Sequence, residues 1–274
     1  MKHVFCKETV IALLTFMLTA NHSHAQHDHH SHDHQVQKQH LHEASKKSVA
    51  SEPPMTHNMA SHDMDDDPLI TMVKLDQLEW RNANQNEFAW DAEAWLGYDT
   101  NKLWVKTEGE KTADNTEHSE IQLLYSRSVS AFWDFQTGLR IDIEPESTRN
   151  WIAFGLQGLA PYFIEVDSAL FFGESGDLAY RLKLEQEWLL TQKLALVPKI
   201  ELKFYGQNDR EYEQGSGLSE TEIGLRLQYQ IKRNIAPYIG VHTFKKHGNT
   251  AAYARDEGEE TDDAQLLIGL HAWF

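Results

Sequence analysis

The chain has 274 residues, a formal net charge of −17 and 11% aromatic residues. That acidity excludes a nucleic-acid partner, which needs a basic footprint. All eight tryptophans lie between Trp80 and Trp273, and no tyrosine precedes Tyr98, so the chain divides by composition.

Residues 1–25 read as a secretory signal peptide. Lys2 and Lys7 give a basic start. Val10 to Leu18 is an apolar run too short to cross a bilayer as a helix, and Ser23-His24-Ala25 supplies small residues for cleavage after Ala25. The single cysteine, Cys6, falls in this segment, so the secreted chain is expected to have neither disulfide nor thiolate ligand.

Residues 26–68 are rich in His, Asp, Gln, Ser, Lys, Met and Pro. Such a segment buries too little apolar surface to offset the entropy of ordering, so a disordered His/Met-rich tail is expected. His27, His29, His30, His32 and His34 stand in QHDHHSHDHQ, and His40 and His42 follow. MTHNMASHDMDD then interleaves Met55, Met59 and Met64 with His57 and His62. Methionine is normally a core filler, yet none occurs after Met72. A chain that keeps thioethers out of its folded part and gathers them in a polar strip is using them as ligands. Thioethers select Cu(I), whereas imidazoles suit Cu(II), zinc and nickel. Thiolates, the stronger Cu(I) ligands, are prone to disulfide formation in an oxidising periplasm. These seven early histidines, together with Met55, His57, Met59, His62 and Met64, are therefore the expected ligands for Cu(I) and/or Cu(II). Asp63 and Asp65 to Asp67 add attraction for cations. The first histidine cluster alone would favour copper no more than zinc.

From Leu69 the pattern changes to period two. In LAYRLKLEQEW, Leu178, Tyr180, Leu182 and Leu184 share one face, and Ala179, Arg181, Lys183, Glu185 and Glu187 the other. ETEIGLRLQYQI (220–231) and FAWDAEAWLGY (88–98) repeat it. About twelve strands are expected, starting near Val73, Phe88, Lys102, Glu117, Ala131, Arg149, Phe163, Gly176, Leu194, Glu220, Ile235 and Asp262. Their length suits tilted membrane-spanning strands. Connections alternate in length. Asp99–Asn101, Ser126–Ser130, Gln157–Tyr162, Leu190–Lys193 and Lys232–Asn234 are short, whereas Gln207–Ser219 and Lys246–Thr261 are long, polar and on the opposite side; Gly173–Gly176 is a short exception there. Short periplasmic turns and longer outer loops are the habit of outer-membrane barrels. The chain ends IGLHAWF, alternating to a last aromatic, Phe274. An all-β transmembrane outer-membrane barrel over 69–274 is expected, with lipid around it. Alternation alone leaves a soluble periplasmic barrel or sandwich open.

Several long stretches carry a family resemblance. They include WDAEAWLGYDTNKLWVKTEGE (90–110), EIQLLYSRSVSAFWDFQTGLR (120–140), GLQGLAPYFIEVDSALFFGESG (155–176), LLTQKLALVPKIELKFYGQND (189–209) and GSGLSETEIGLRLQYQI (215–231). The chain resembles the copper resistance protein B family of bacterial outer-membrane proteins, and the Met-x-His-x-x-Met of Met55, His57 and Met59 looks like that family's copper repeats. The resemblance implies copper binding, a role in copper tolerance by sequestration or efflux, and a periplasmic multicopper oxidase as partner.

By alternation Asp91, Glu93, Lys106, Glu108, Glu120, Arg140, Asp142, Glu165, Asp167, Arg181, Glu185, Glu187, Glu222 and Arg226 line the interior. They suit a cation path or, preferably, a salt-bridged plug, and His242 and His271 read as structural. The rival function is a general small porin with a zinc- or nickel-buffering tail. An enzyme is not expected, because no Ser/His/Asp spacing surrounds Ser128 or Ser168.

Overall fold

The computed structural model describes residues 68–82, 87–112, 116–144 and 147–274. The signal, the tail and their boundaries lie outside the described residues.

Thirteen strands follow in chain order: β1 (Ile70–Asn82), β2 (Glu87–Gly97), β3 (Asn101–Lys111), β4 (Thr116–Ser130), β5 (Trp133–Ile143), β6 (Thr148–Ala160), β7 (Ile164–Gly173), β8 (Leu178–Gln186), β9 (Trp188–Leu189), β10 (Leu194–Tyr205), β11 (Gly217–Tyr229), β12 (Ile235–Lys246) and β13 (Asp262–Trp273). One helix, α1 (Gly248–Glu257), stands between β12 and β13. Chain neighbours pair antiparallel, and β1 also pairs with β13, so the sheet closes on itself. β8 and β9 are two pieces of one stave that both pair with β10, giving a closed barrel of twelve. Closure removes the edges that would leave backbone groups unmet in lipid. At the seam Phe274 and Val73 exchange backbone hydrogen bonds of 2.8 and 3.0 Å.

The observed strands begin within three residues of the expected starts. Four expectations are corrected. Ser126–Ser130 is strand, because alternation persists through small polar residues: Ser126 and Ser128 turn inward to Asp134 while Tyr125 and Arg127 face out. The turn is residues 131–132. β6 likewise runs past Gln157 to Ala160, with a single 3-10 turn, Pro161–Phe163, before β7. The long polar connection after Lys246 holds α1, whose N-terminus lacks a side-chain cap and whose residues show no apolar stripe to announce a helix. Glu187 is exposed in the break between β8 and β9 instead of lining the interior.

Polarity decides the class. The groups hidden inside are charged: Glu79 is 0% exposed and Arg226 3%. The groups on the outer wall are apolar: Leu266 is 64% exposed and Ile239 60%. Water would invert this arrangement, since burying charge while exposing hydrocarbon costs on both counts. Lipid makes it favourable. At the mouth where the chain enters β1 and leaves β13, exposed Tyr98, Tyr125, Phe132, Trp188, Tyr229 and Trp273 form an aromatic band. Such bands sit at membrane–water interfaces.

Candidate functional site: the charged lumen

The twelve expected metal ligands, His27 to Met64, lie outside the described residues. Met72, by contrast, is in β1, paired in register with Trp95. The structure itself brings together a charged lumen.

Register builds one wall of it. Asp91 faces Glu108, Glu108 faces Glu120, and Glu120 faces Asp142, so four carboxylates form a row across β2 to β5. Like charges directly opposite each other in a sheet repel. Cations from the far wall and from between the acids hold the row. Arg181 of β8 gives Glu120 two hydrogen bonds of 3.0 Å. Lys183 of the same strand reaches Glu108 at 2.5 Å and Asp91 at 3.4 Å, and Lys199 of β10 reaches Asp91 at 3.5 Å. Arg140 sits within the row, 2.9 Å from Glu120 and 2.6 Å from Asp142. Nearer the terminal mouth, Lys106 of β3 reaches Asp167 of β7 at 2.7 Å, and Lys74 of β1 lies 3.9 Å from Glu165 of β7. These pairs span the lumen. An apolar patch of Trp104, Leu124, Trp151 and Phe171 fills space beside them, with the Arg140 guanidinium 4.4 Å from the Phe171 ring.

Below this crossing lies a cavity of about 480 Å³ that reaches the turn residues Ala131 and Phe132 at the terminal mouth. Nine carboxylates and six cationic side chains line it, so it is anionic overall.

One cluster has the composition of a metal site. His118, Glu120 and Asp142 bring an imidazole nitrogen and two carboxylate oxygens within 4.8 Å of one another. The carboxylates are already occupied. Glu120 takes Arg140, Arg181 and Gln122, and Asp142 takes Arg140 and the Trp151 indole at 2.8 Å. An ion there would have to displace two arginines, so the cluster is part of the ion-pair network.

Of the expected lumen residues, all but Glu187 face inward or line the cavity. His271 Nδ1 lies 3.8 Å from Asp76, and His242 Nε2 lies 3.3 Å from Glu222. Ser128 hydrogen-bonds Asp134 and Ser168 hydrogen-bonds Tyr180. Sequence reasoning missed Lys74, Asp76, Glu79 and Arg81 of β1. A bulge between Leu75 and Gln77 shifts the alternation there by one residue, so a strict period of two places half the strand on the wrong face. Lys199, Glu201 and Lys203 carried the same signal as β8 and could have been found by it.

A closed antiparallel barrel with a charged lumen, an apolar wall and an aromatic band is an outer-membrane β-barrel. The chain belongs to the CopB family: residues 69–274 match its model, described as copper resistance protein B precursor. It is 43% identical over 218 residues to copper resistance protein B of Escherichia coli, covering 79% of this chain and 74% of that one. To the copper resistance protein B homolog of Pseudomonas syringae pv. tomato it is 42% identical over 216 residues, covering 78% and 74%. Similar solved structures include the NanC porin, at 16% identity over 74% of this chain and 99% of that one with a TM-score of 0.49. Another is outer membrane phospholipase A from Escherichia coli, at 13% identity over 73% and 92% with a TM-score of 0.45. The family gives the chain a role in copper resistance.

Proposed function

We propose that the chain sequesters periplasmic copper on the His and Met residues of 26–68, and that the barrel holds this strip at the outer membrane and receives copper for passage outward. The supporting observation is the anionic cavity, which opens at the mouth where β1 begins. An excess of carboxylates there raises the local concentration of cations. The ligand chemistry of the strip adds the preference for copper: thioethers for Cu(I), imidazoles for Cu(II). Partners in this reading are copper ions, the surrounding lipid and a periplasmic multicopper oxidase. The rival, a general porin, needs a lumen standing open to diffusing solutes, and the pairs from β8 and β10 to β2, β3 and β4 tell against one; outward passage of copper then requires these pairs to part.

The test is copper stoichiometry on the folded full-length protein, reduced and oxidised, beside a variant with the strip's His changed to Ala and its Met to Leu. Most bound copper is expected to be lost in the variant. Unchanged stoichiometry would overturn the assignment. Replacing Met55, Met59 and Met64 alone is expected to remove Cu(I) and spare zinc; equal copper uptake would favour the porin with a zinc or nickel buffer.

A further inference from the structure

The two longest connections stand at the mouth opposite the chain termini, and they fold against each other. Residues 206–216 join β10 to β11, yet they reach β6, three pairings away along the sheet. The contact is Arg149, which shares the lumen-facing side of β6 with buried Trp151 and Ala153. Its guanidinium lies between two rings, 4.5 Å from Trp151 and 4.0 Å from Tyr212. Nη1 donates to Gln214 at 2.7 Å, and Nη2 donates at 3.1 Å to Asp177, in the turn between β7 and β8. Asp177 also accepts from Gln207. The loop therefore leans across the mouth instead of standing out in water.

α1 holds the loop from the other side. The helix is itself well seated, with Ala251 and Ala254 buried and Thr250 bonded to Ser219. From the loop, the Gly215 N–H donates to Thr250 Oγ1 at 2.8 Å, Asn208 accepts from Asn249 at 2.9 Å, and Arg210 pairs with Asp256 at 3.1 Å. The approach is close: a Cβ on Gly215 would stand 2.4 Å from the Thr250 backbone nitrogen. These contacts are polar and the ion pair is exposed, so each is weak alone. Tyr212 is the only large apolar side chain between Gly206 and Gly217, so little hydrocarbon meets water when the loop lifts.

The backbone suits movement. Gly217, where the loop returns to β11, has φ 90° and open space where a side chain would stand. Glycine turns freely at such a position. Glu213 is the opposite: it is held at φ 53° between Tyr212 and Gln214, the two residues that grip Arg149. A non-glycine residue in that region is strained and persists only while its surroundings hold it. Release of Arg149 removes the hold.

We infer that residues 206–216 are a hinged strap across this mouth, caught on α1 and latched to β6 by Arg149, and that unlatching opens the mouth. The ion pairs in the middle of the lumen and the strap are then two barriers in series. Use of the strap in export rests on the outward passage of copper proposed above. The closure itself does not, and small-ion current tests it without copper.

The experiment records the conductance of the full chain in planar bilayers. Arg181→Ala and Lys183→Ala are present throughout, so that the inner barrier does not mask the outer one. Current is expected in bursts as the strap lifts and settles. Gly215→Ala, whose methyl pushes the loop off α1, and Arg149→Ala, which removes the latch, are each expected to make the current continuous and raise its mean several-fold. Native migration of the unheated protein on gels verifies folding. Gly215 lies outside every stave, so Gly215→Ala decides the matter should Arg149→Ala misfold. An unchanged mean current in folded Gly215→Ala overturns the strap, and unchanged bursts in folded Arg149→Ala overturn Arg149 as its latch. The strip's role is scored separately, by copper stoichiometry.

Discussion

Glu79 is wholly buried, and a single carboxylate there serves three partners. Oε1 accepts from Arg226 Nε at 2.6 Å and from the Tyr238 hydroxyl at 3.1 Å, and Oε2 accepts from Arg81 Nε at 3.0 Å. Arg81 in turn reaches Glu87 at 2.9 Å and Glu110 at 2.7 Å. Removing one member of a buried pair costs more than the pair contributes, because the other charge is left without a counterion. Glu79→Ala is therefore expected to destabilise the barrel by about 3–5 kcal/mol, read as a lowered urea midpoint in lipid vesicles. Glu79→Gln, which keeps the shape and part of the hydrogen bonding, should lose less; equal losses would show that shape, not charge, is what matters. This residue was not legible in the sequence. LDQLEW runs out of step with its own strand, because the bulge before Gln77 consumes a residue and no composition signal marks it. The histidines and methionines of 26–68 are the opposite case: residue type and spacing alone single them out as the proposed ligands, and register does not enter.

Strands were the most legible elements. Leu182 and Leu184 alternate with Arg181, Lys183 and Glu185 because one face meets lipid and the other the lumen, and that demand writes a period of two into nearly every stave. What periodicity does not encode is which face is inside. Exposure of the apolar face settles it and excludes the soluble barrel. α1 stayed hidden because it is held by contacts with its surroundings: the Thr250 hydroxyl pairs with Ser219 at 2.6 Å and accepts the Gly215 N–H at 2.8 Å. A direct check on the wall is Leu139→Arg in the middle of β5. Leu139 is exposed on the apolar wall, and a charge there is expected to cost roughly 2–4 kcal/mol near the bilayer midplane. Glu187→Arg, in the exposed break of the β8–β9 stave, should stay within about 0.5 kcal/mol of the parent. Comparable losses in the two would mean the lipid-facing wall has been drawn on the wrong surface.

At the scale of the whole molecule, an acidic row on one wall and cations from the opposite wall close the middle of the lumen. The sequence favoured a plug over a path but could not pair its members, since the partners are far apart in the chain: Arg181 and Glu120 are separated by 61 residues, Lys199 and Asp91 by 108. In planar bilayers the parent barrel is expected to conduct weakly, and Arg181→Ala with Lys183→Ala to conduct several-fold more, because the carboxylate row loses the groups that cross to it. A parent that conducts like an open porin would remove the plug from this account. The seam carries a different consequence. Val73 and Phe274 are bonded side by side, so the barrel is a ring with a single nick at one mouth. Splicing the two ends and opening the ring between β3 and β4 preserves every stave, as circular permutation at exposed loops generally does. With residues 26–68 joined ahead of β4 instead of β1, they start from the other mouth of the barrel. Under the proposed sequestering role, a permutant that still loads copper in vitro but no longer protects the cell would separate affinity from address, and assign to the barrel the task of setting the side from which the strip acts.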